Sequence, residues 1–208
     1  MPERMKSRPN TCVGELPEAT MIQEHNLVII GGSGRNVGKT EFVCRLIARL
    51  STTNTIYGLK ISAIYPDEGI FHGNHGRSDV HSAIFEETRA DTGKDTSRML
   101  RAGAARVFYL RSEDKGILSA YRRWRRRVPA DAAIVCESNS LAMYVRPAIY
   151  IMITKAAGVV KPRAQKMLEQ ADMVVFSDGK SGFGDLCRLH FTAGGFVLDS
   201  DKTEGGAR

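Results

Sequence analysis

The sequence predicts an α/β fold, a mainly parallel sheet with helices on both faces. Short runs of apolar residues alternate along the chain with segments of helical periodicity. The runs are continuously apolar, as expected of strands that are covered on both faces. A glycine-rich turn joins the first run to the first helical segment. The length of 208 residues and the 42% hydrophobic content predict one domain over 25–200, with flexible tails at 1–24 and 201–208.

The predicted elements follow one another in this alternation. The first strand is NLVII at 26–30, and the first helix spans 40–50, where apolar residues recur on one stripe. The polar stretch 65–94 interrupts the scheme and is predicted to be a long mobile or functional loop. The remaining predicted strands are 57–64, 106–110, 132–137, 148–153, 173–177 and 196–200, and the remaining predicted helices are 95–102, 113–127, 162–170 and 185–190.

Composition bears on membrane association, on cellular location and on the kind of partner. The longest apolar stretch, 148–153, is far shorter than the roughly 20 residues of a membrane-spanning helix, and the first residues lack the apolar core of a signal peptide. We therefore expect a soluble protein without membrane contact. The four cysteines form no C-x-x-C pair, which favours a reduced, cytoplasmic location. The net charge of +7 and the pI of about 9.4 suit nucleic acid, anionic nucleotides or acidic partners.

The turn GGSGRNVGKT at 31–40 has the features of a phosphate-binding loop. Such a loop needs glycines that let the backbone come close to the phosphates, N–H groups at a helix N-terminus, and a lysine. Gly34, Gly38 and Lys39 can provide these features. The Thr40 hydroxyl is then placed to bind Mg²⁺. Ser33 replaces a glycine of the strict pattern, but Gly32 still permits the turn. The alternative is a strand-to-helix turn without a ligand. The context predicts a P-loop NTPase fold that binds ATP or GTP, with contacts at Gly32, Ser33, Gly34, Arg35, Asn36, Val37, Gly38, Lys39, Thr40 and Glu41.

Two carboxylates and a lysine are candidates to complete this site. Glu137 directly follows a buried strand, where a carboxylate needs a cation or hydrogen-bond donors, and it is predicted to bind Mg²⁺. Its alternative is a place in a helix cap, with Ser138 or Asn139 as the capping residue. The residues alone leave Asp95 open between a Mg²⁺ ligand and a charge at a helix start. Lys60 lies in a strand covered on both faces, so it should snorkel, pair or bind an anion.

Other polar features are weaker candidates. The helix at 117–128 carries an apolar stripe, and its arginines are predicted to form a solvated face that an acidic protein partner could contact; nucleic acid is disfavoured. A transition-metal site is also disfavoured for the histidines of the polar loop, His72, His75 and His81. The turn TKAAG at 154–158 lacks an aspartate for guanine, so guanine specificity is not supported, and SDGKSG at 177–182 is a candidate border of the base.

Three segments resemble a known family, namely GGSGRNVGKTEF, the strand YGLKIS and the segment KDTSRMLRAGA. The chain resembles the molybdopterin-guanine dinucleotide biosynthesis protein B family and, more widely, the nitrogenase iron protein-like P-loop NTPases that include dethiobiotin synthetase. The resemblance implies catalytic roles for Lys39, Lys60 and Asp95, with Arg98 nearby. It implies that Mg²⁺ is held by Thr40, Asp95 and Glu137, and it makes a homodimer an expectation.

The expected function is Mg²⁺-dependent binding of a purine nucleoside triphosphate, with slow hydrolysis. Catalysis would consist mainly of positioning and of charge stabilisation around the phosphates. Two alternatives remain open at this stage. One is a nucleotide-gated adapter with negligible turnover, and the other is a small-molecule kinase or ligase related to dethiobiotin synthetase.

Overall fold

The structure, a computed structural model, describes residues 21–64, 82–155 and 162–200. It is an α/β fold whose mostly parallel seven-stranded sheet is flanked by helices, as the sequence predicts. The strands of this sheet lie in the order β3-β4-β2-β5-β1-β6-β7. Their bounds are β1 Ile22–Gly32, β2 Ile56–Ile64, β3 Ser82–Glu87, β4 Arg106–Glu113, β5 Ala133–Glu137, β6 Val145–Thr154 and β7 Met173–Phe176.

In the described ranges, four α-helices lie on the two faces of the sheet. They are α1 Lys39–Leu50, α2 Asp95–Arg101, α3 Ile117–Arg125 and α4 Pro162–Glu169. Helices α1 and α2 pack in one apolar core and α3 in the other. Central strand β1 contributes to both, because Val28 and Ile30 point to the α1 side while Leu27 and Ile29 point to the α3 side. The continuously apolar strands are thereby explained, since each face of the sheet is covered.

One strand lies inside the stretch that the sequence predicts to be a loop. Residues 82–87 form β3, an antiparallel edge strand paired with β4, whereas 65–81 fall outside the described residues together with the histidines at 72, 75 and 81. The prediction was wrong here because an edge strand tolerates polar and exposed side chains that hide the apolar period. Glu86 illustrates this, since it is exposed and pairs with Arg106 of the neighbouring strand.

Three further element predictions need correction. The predicted helix over 113–127 is shorter in the structure. Strand β4 extends to Glu113, a 3₁₀ turn occupies 114–116, and α3 begins only at Ile117. The predicted helix at 185–190 is a 3₁₀ segment, Gly184–Arg188, followed by β8 Leu189–Thr192. Strand β8 pairs with β9 Gly195–Leu198 in a separate antiparallel hairpin, so the predicted last strand does not join the main sheet. Gly195 has φ +111 at the turn between them, which favours a hairpin.

Candidate functional site

The candidate site is a cleft at the carboxyl ends of the central parallel strands. Its volume is about 1040 Å³. The cleft is lined by the β1–α1 turn, by the ends of β2 and β5, by the start of α2 and by the residues that follow β6 and β7. Parallel strands end at one edge of the sheet, so their first loop residues converge there, and ligands of open α/β sheets collect at this edge.

Ser33 anchors the β1–α1 turn to the end of β6. Its N–H donates to the Ile153 carbonyl at 2.9 Å, and its hydroxyl lies 2.8 Å from the Thr154 hydroxyl. The preceding residue, Gly32, donates its N–H to Asn139 Oδ1 at 2.8 Å. The residue that departs from the strict glycine pattern therefore has a structural role, because it ties the turn to its neighbouring strand.

Gly38 directly precedes α1 in a left-handed conformation, with φ +97. A Cβ at this position would lie 2.9 Å from Phe183 Cζ and 3.1 Å from Gly179 Cα. Only glycine fits both the backbone angle and the space. The turn after β7 thus packs directly against the start of α1, which the sequence did not indicate.

Lys39, the first residue of α1, bends back over the turn. Its Nζ donates to the Gly34 carbonyl at 3.0 Å. Burial lowers the pKa of Lys39, and the nearby ammonium of Lys60 acts in the same direction, whereas Glu137 and Asp95 oppose the change. A lysine that is partly desolvated beside a helix N-terminus is well placed to bind an anion.

Thr40, Lys60, Asp95 and Glu137 converge in one polar cluster, which we call the Lys60 cluster. Lys60 Nζ donates to Glu137 Oε1 at 2.8 Å and also to Asp95 Oδ2. The Thr40 hydroxyl donates to the other oxygen of Glu137 at 2.8 Å, and Thr40 is also close enough to the Asp95 carboxylate to help lower its pKa. The register of β2 and β5 pairs Lys60 with Glu137 directly. The sheet therefore brings together four residues that lie in four separate segments of the sequence.

Each ionised group in the Lys60 cluster stabilises its neighbour. Burial by itself would lower the pKa of Lys60, but the carboxylates of Glu137 and Asp95 outweigh it and the pKa is raised. Burial likewise opposes ionisation of Asp95, but the hydrogen bond and charge of Lys60 outweigh burial and lower the pKa of Asp95. Glu137 is 5% exposed, so the Lys60 ammonium offsets the cost of burying its negative charge.

The segment after β5 contains hydrogen bonds of the capping kind, and they come from Ser138. The Ser138 hydroxyl accepts from the N–H groups of Ser140 and Leu141 at the start of the short 3₁₀ turn Leu141–Met143, whose N-cap position is Ser140. Asn139 instead reaches back to the β1–α1 turn. Glu137 takes no part in the cap and faces the Lys60 cluster.

The Glu41 carboxylate pairs with two arginines. Its two carboxylate oxygens contact Arg98 Nη2 at 2.7 Å and Arg45 Nε at 2.8 Å. Arg98 belongs to α2, so this pair ties α2 to α1 beside the Lys60 cluster. Glu41 lines the cleft, and its side chain connects the two helices.

The residues after β6 and β7 form the opposite end of the cleft. Lys155, Asp178 and Lys180 line it. The Asp178 carboxylate accepts from the N–H groups of Lys180 and Ser181 and from the Ser181 hydroxyl, and these bonds lower its pKa to about 2. Both of its oxygens are therefore engaged within its own turn.

The oxygen donors of the Lys60 cluster suit Mg²⁺ better than a transition metal. Mg²⁺ is bound in many nucleotide sites by one or two carboxylates, with waters and phosphate oxygens completing the octahedron. Asp95, Glu137 and the Thr40 hydroxyl provide such a set. Within the described ranges, no group of three or more His, Cys, Asp or Glu residues could hold a metal by itself.

The basic helix behaves largely as predicted. Tyr121 and Trp124 are buried on its apolar stripe, and its exposed arginines are Arg122, Arg123, Arg126 and Arg127. Arg125 is the exception, because it donates to the carbonyls of residues 128, 129 and 130 and pairs with Glu24 at 3.3 Å. Its role is to hold the turn after α3. The other four arginines are exposed, and one of them, Arg123, donates to the Ser82 hydroxyl of β3.

Comparison with known proteins adds no relative. Models of known protein families, curated proteins and solved structures all give no match to this chain. The described part of the chain contains no helix long and apolar enough to cross a membrane. The site therefore has to be interpreted from its own geometry, and the family resemblance stays a prediction.

Proposed function

We propose that this chain binds a nucleoside triphosphate, ATP or GTP, together with Mg²⁺ and hydrolyses it slowly. The observation that carries the proposal is the convergence of Lys39 with the Lys60 cluster at the N-terminus of α1. The first N–H groups of an α-helix lack partners within the helix, and the helix dipole is positive at this end. Cations, free N–H groups and carboxylates at one helix start are the combination that a metal-bound polyphosphate requires.

In this proposal each residue has a specific role. The phosphates lie against the N–H groups that begin α1, and Lys39 Nζ exchanges the Gly34 carbonyl for phosphate oxygens. Thr40, Asp95 and Glu137 hold Mg²⁺, which neutralises part of the phosphate charge when it is bound. The base extends toward Lys155 and Lys180, at the end of the cleft formed after β6 and β7.

Slow turnover follows from how the carboxylates are used. In this proposal Asp95 and Glu137 both hold Mg²⁺, so neither is available as a base for an attacking water. The remaining contribution to catalysis is electrostatic: Lys39 and Lys60 stabilise the negative charge of the phosphates. We expect activity well below the range of about 1–100 s⁻¹ typical of kinases.

A thermal-shift experiment tests the binding proposal. A ligand that binds only the folded state adds about 2.7 kcal/mol at 100 times its Kd, which raises Tm by about 5–11 °C for a chain of this size. We expect this rise with ATP or GTP plus Mg²⁺. Lys39→Ala should abolish the rise, and Thr40→Val should remove its Mg²⁺-dependent part.

Two matched variants control for general effects of the substitutions. Lys115→Ala removes an exposed lysine before α3, and Thr52→Val removes an exposed hydroxyl beyond the far end of α1. Both should keep the full rise in Tm. The proposal is wrong if the wild-type protein shows no rise with either nucleotide, or if Lys39→Ala shows the same rise as Lys115→Ala.

Turnover distinguishes this proposal from its two alternatives. A nucleotide-gated adapter binds with the same dependence on Lys39 but releases no phosphate above the Lys39→Ala background. The size of the cleft favours the kinase or ligase alternative. Its volume of about 1040 Å³ is at the upper end of the usual range for ligand pockets, and it extends past Lys60 to Ala63, which leaves room for a small acceptor beside the nucleotide. It predicts that nucleotide consumption rises when a small acceptor is added.

A further inference from the structure

Lys60 lies where the proposed function places a metal ion. Its ammonium contacts Glu137 Oε1 at 2.8 Å and Asp95 Oδ2, so it bridges the two carboxylates assigned to Mg²⁺. Its side chain is 20% exposed and that of Glu137 is 6% exposed, so solvent screens the Lys60–Glu137 pair only weakly. The protein thus supplies a cation of its own to the carboxylates.

The ammonium and a divalent cation cannot share these oxygens. Mg²⁺ binds carboxylate oxygens at about 2.0–2.1 Å, and Lys60 Nζ already lies within hydrogen-bonding distance of Glu137 and Asp95. Two positive charges at this separation in a poorly screened site repel each other strongly. Binding of the metal therefore requires Lys60 Nζ to leave at least one of the two carboxylates.

The backbone limits where Lys60 Nζ can go. Lys60 is held in β2, opposite Glu137 of β5 and Tyr109 of β4, so only the side chain can move. Lys39 at the start of α1 lines the same cleft, and the charges of Glu137, Lys60 and Asp95 act on its pKa. The anion that Lys39 binds in the proposed function, the terminal phosphate, is therefore the new partner within reach of Lys60.

We propose that Lys60 is an internal cation that holds the metal site in the absence of ligand, and that Mg²⁺ displaces it onto the terminal phosphate of the bound nucleotide. This inference rests on the proposed function. Metal alone binds weakly because Lys60 loses its partners and gains none. Metal with a triphosphate binds well because the displaced ammonium gains a phosphate, so the two ligands are thermodynamically coupled.

Binding of Mn²⁺ in the absence of nucleotide tests the displacement directly. Free Mn²⁺ is measured by electron paramagnetic resonance during titration of the wild-type protein, Lys60→Met and Lys60→Arg. We expect Lys60→Met to bind Mn²⁺ at least about tenfold more tightly than wild type, which is within the usual range of coupling between ligands. Lys60→Arg keeps the charge and should bind no more tightly than wild type.

A matched control separates displacement from a general change in charge. Lys155→Met removes the same charge from the same cleft, but from beyond β6, three strands away from β2 in the sheet. It should leave Mn²⁺ affinity within about twofold, because three strand spacings of about 4.8 Å amount to roughly 14 Å, more than the Debye length of about 10 Å. Equal gains in Lys155→Met and Lys60→Met would overturn the inference.

Nucleotide binding gives a second readout with the opposite sign. Wild type should prefer Mg²⁺-triphosphate over Mg²⁺-diphosphate, and Lys60→Met should lose most of this preference although its site binds metal more tightly. If wild type binds nucleotide with Mg²⁺ but Lys60→Met gains no Mn²⁺ affinity, the inference is wrong and the proposed function stands. If no nucleotide binds to wild type, the proposed function is wrong, whereas a gain in Mn²⁺ affinity still supports Lys60 as the internal cation.

Loss of Lys60 leaves Glu137 buried without its cation, so the stability of the variant must be measured as well. We expect Lys60→Met to have a lower Tm than wild type and to recover part of it with Mn²⁺ but not with the same ionic strength of NaCl. If Lys60→Met does not fold, Lys60→Gln replaces it, since glutamine keeps a hydrogen-bond donor without the charge. Absence of a gain in Mn²⁺ affinity in Lys60→Gln would count equally against the inference.

Discussion

Replacement of Gly38 by alanine tests the geometry of the β1–α1 turn most directly. The backbone of Gly38 has φ +97, and a residue with a Cβ pays about 1–2 kcal/mol in the left-handed region. The new Cβ would also lie 2.9 Å from Phe183 Cζ and 3.1 Å from Gly179 Cα, and overpacking of this kind costs about 1–3 kcal/mol. We therefore expect Gly38→Ala to lower the free energy of unfolding by about 2–5 kcal/mol.

Gly34→Ala is the matched control in the same turn. Its Cβ would meet only Val37 Cγ1, at an ordinary 3.8 Å, and Gly34 is not among the residues with positive φ. Alanine restricts the unfolded chain more than glycine does, so Gly34→Ala should be neutral or stabilise the protein by up to about 1 kcal/mol.

Urea denaturation measures both variants. Trp124, the only tryptophan, is buried in the α3 core, so its fluorescence reports unfolding. The slope with urea should not change, while the midpoint falls for Gly38→Ala alone. In thermal scans the expected loss corresponds to about 4–20 °C in Tm. If the unfolding free energies of the two variants agree within about 0.5 kcal/mol, the left-handed turn and its packing against the turn after β7 are refuted.

Three further predictions follow from side chains outside the turn. Arg125→Ala should destabilise the protein by about 1–3 kcal/mol because it breaks three hydrogen bonds to carbonyls after α3, whereas Arg126→Ala, an exposed neighbour, should change stability by less than about 0.5 kcal/mol in urea denaturation. Burial opposes ionisation of Asp95, but Lys60 outweighs burial and lowers the pKa of Asp95 in the folded state. The stabilisation that Asp95 provides is therefore present above its unfolded pKa of about 4 and is lost as the pH falls through the folded pKa. Asp95→Asn should show a smaller fall in Tm below about pH 4 than wild type. Cys136 is fully buried and burial raises its pKa, so peptide mapping after alkylation of the native protein should find it unmodified, and modification at the rate of an exposed thiol would contradict its position in β5.

The fold was largely predictable from local patterns. The apolar runs of the parallel strands and the stripes of α1 and α3 repeat over short distances, so their period could be read without knowing the partners. Strands β3 and β8 were missed, since neither carries a continuous apolar run. Strand β9 was predicted at 196–200, but its pairing with β8 in a separate hairpin was not. Elements at the edge of a fold leave a weaker pattern than elements in its core.

Several residues of the candidate site could be predicted individually, but the contacts between them could not. Lys60 and Glu137 stood out because a charged group in or after a buried strand needs a partner. Asn139 had no comparable signal: it contacts Gly32 across 107 residues of sequence. Phe183 and Gly179 were missed for the same reason, since their packing on Gly38 depends on where the turn after β7 lies.

The sequence alone thus determined the α/β alternation, the position of the glycine-rich turn before α1 and the candidate residues in and after buried strands, because periodicity and the cost of burying charge act locally. Only the tertiary structure decided that β2 lies beside β5, which places Lys60 opposite Glu137, and that α2 brings Asp95 to the same ammonium. The physical reason is that strand order depends on how all elements share one core, a property that no single segment encodes. The pairing of carboxylates with an internal cation is therefore a property of the folded chain.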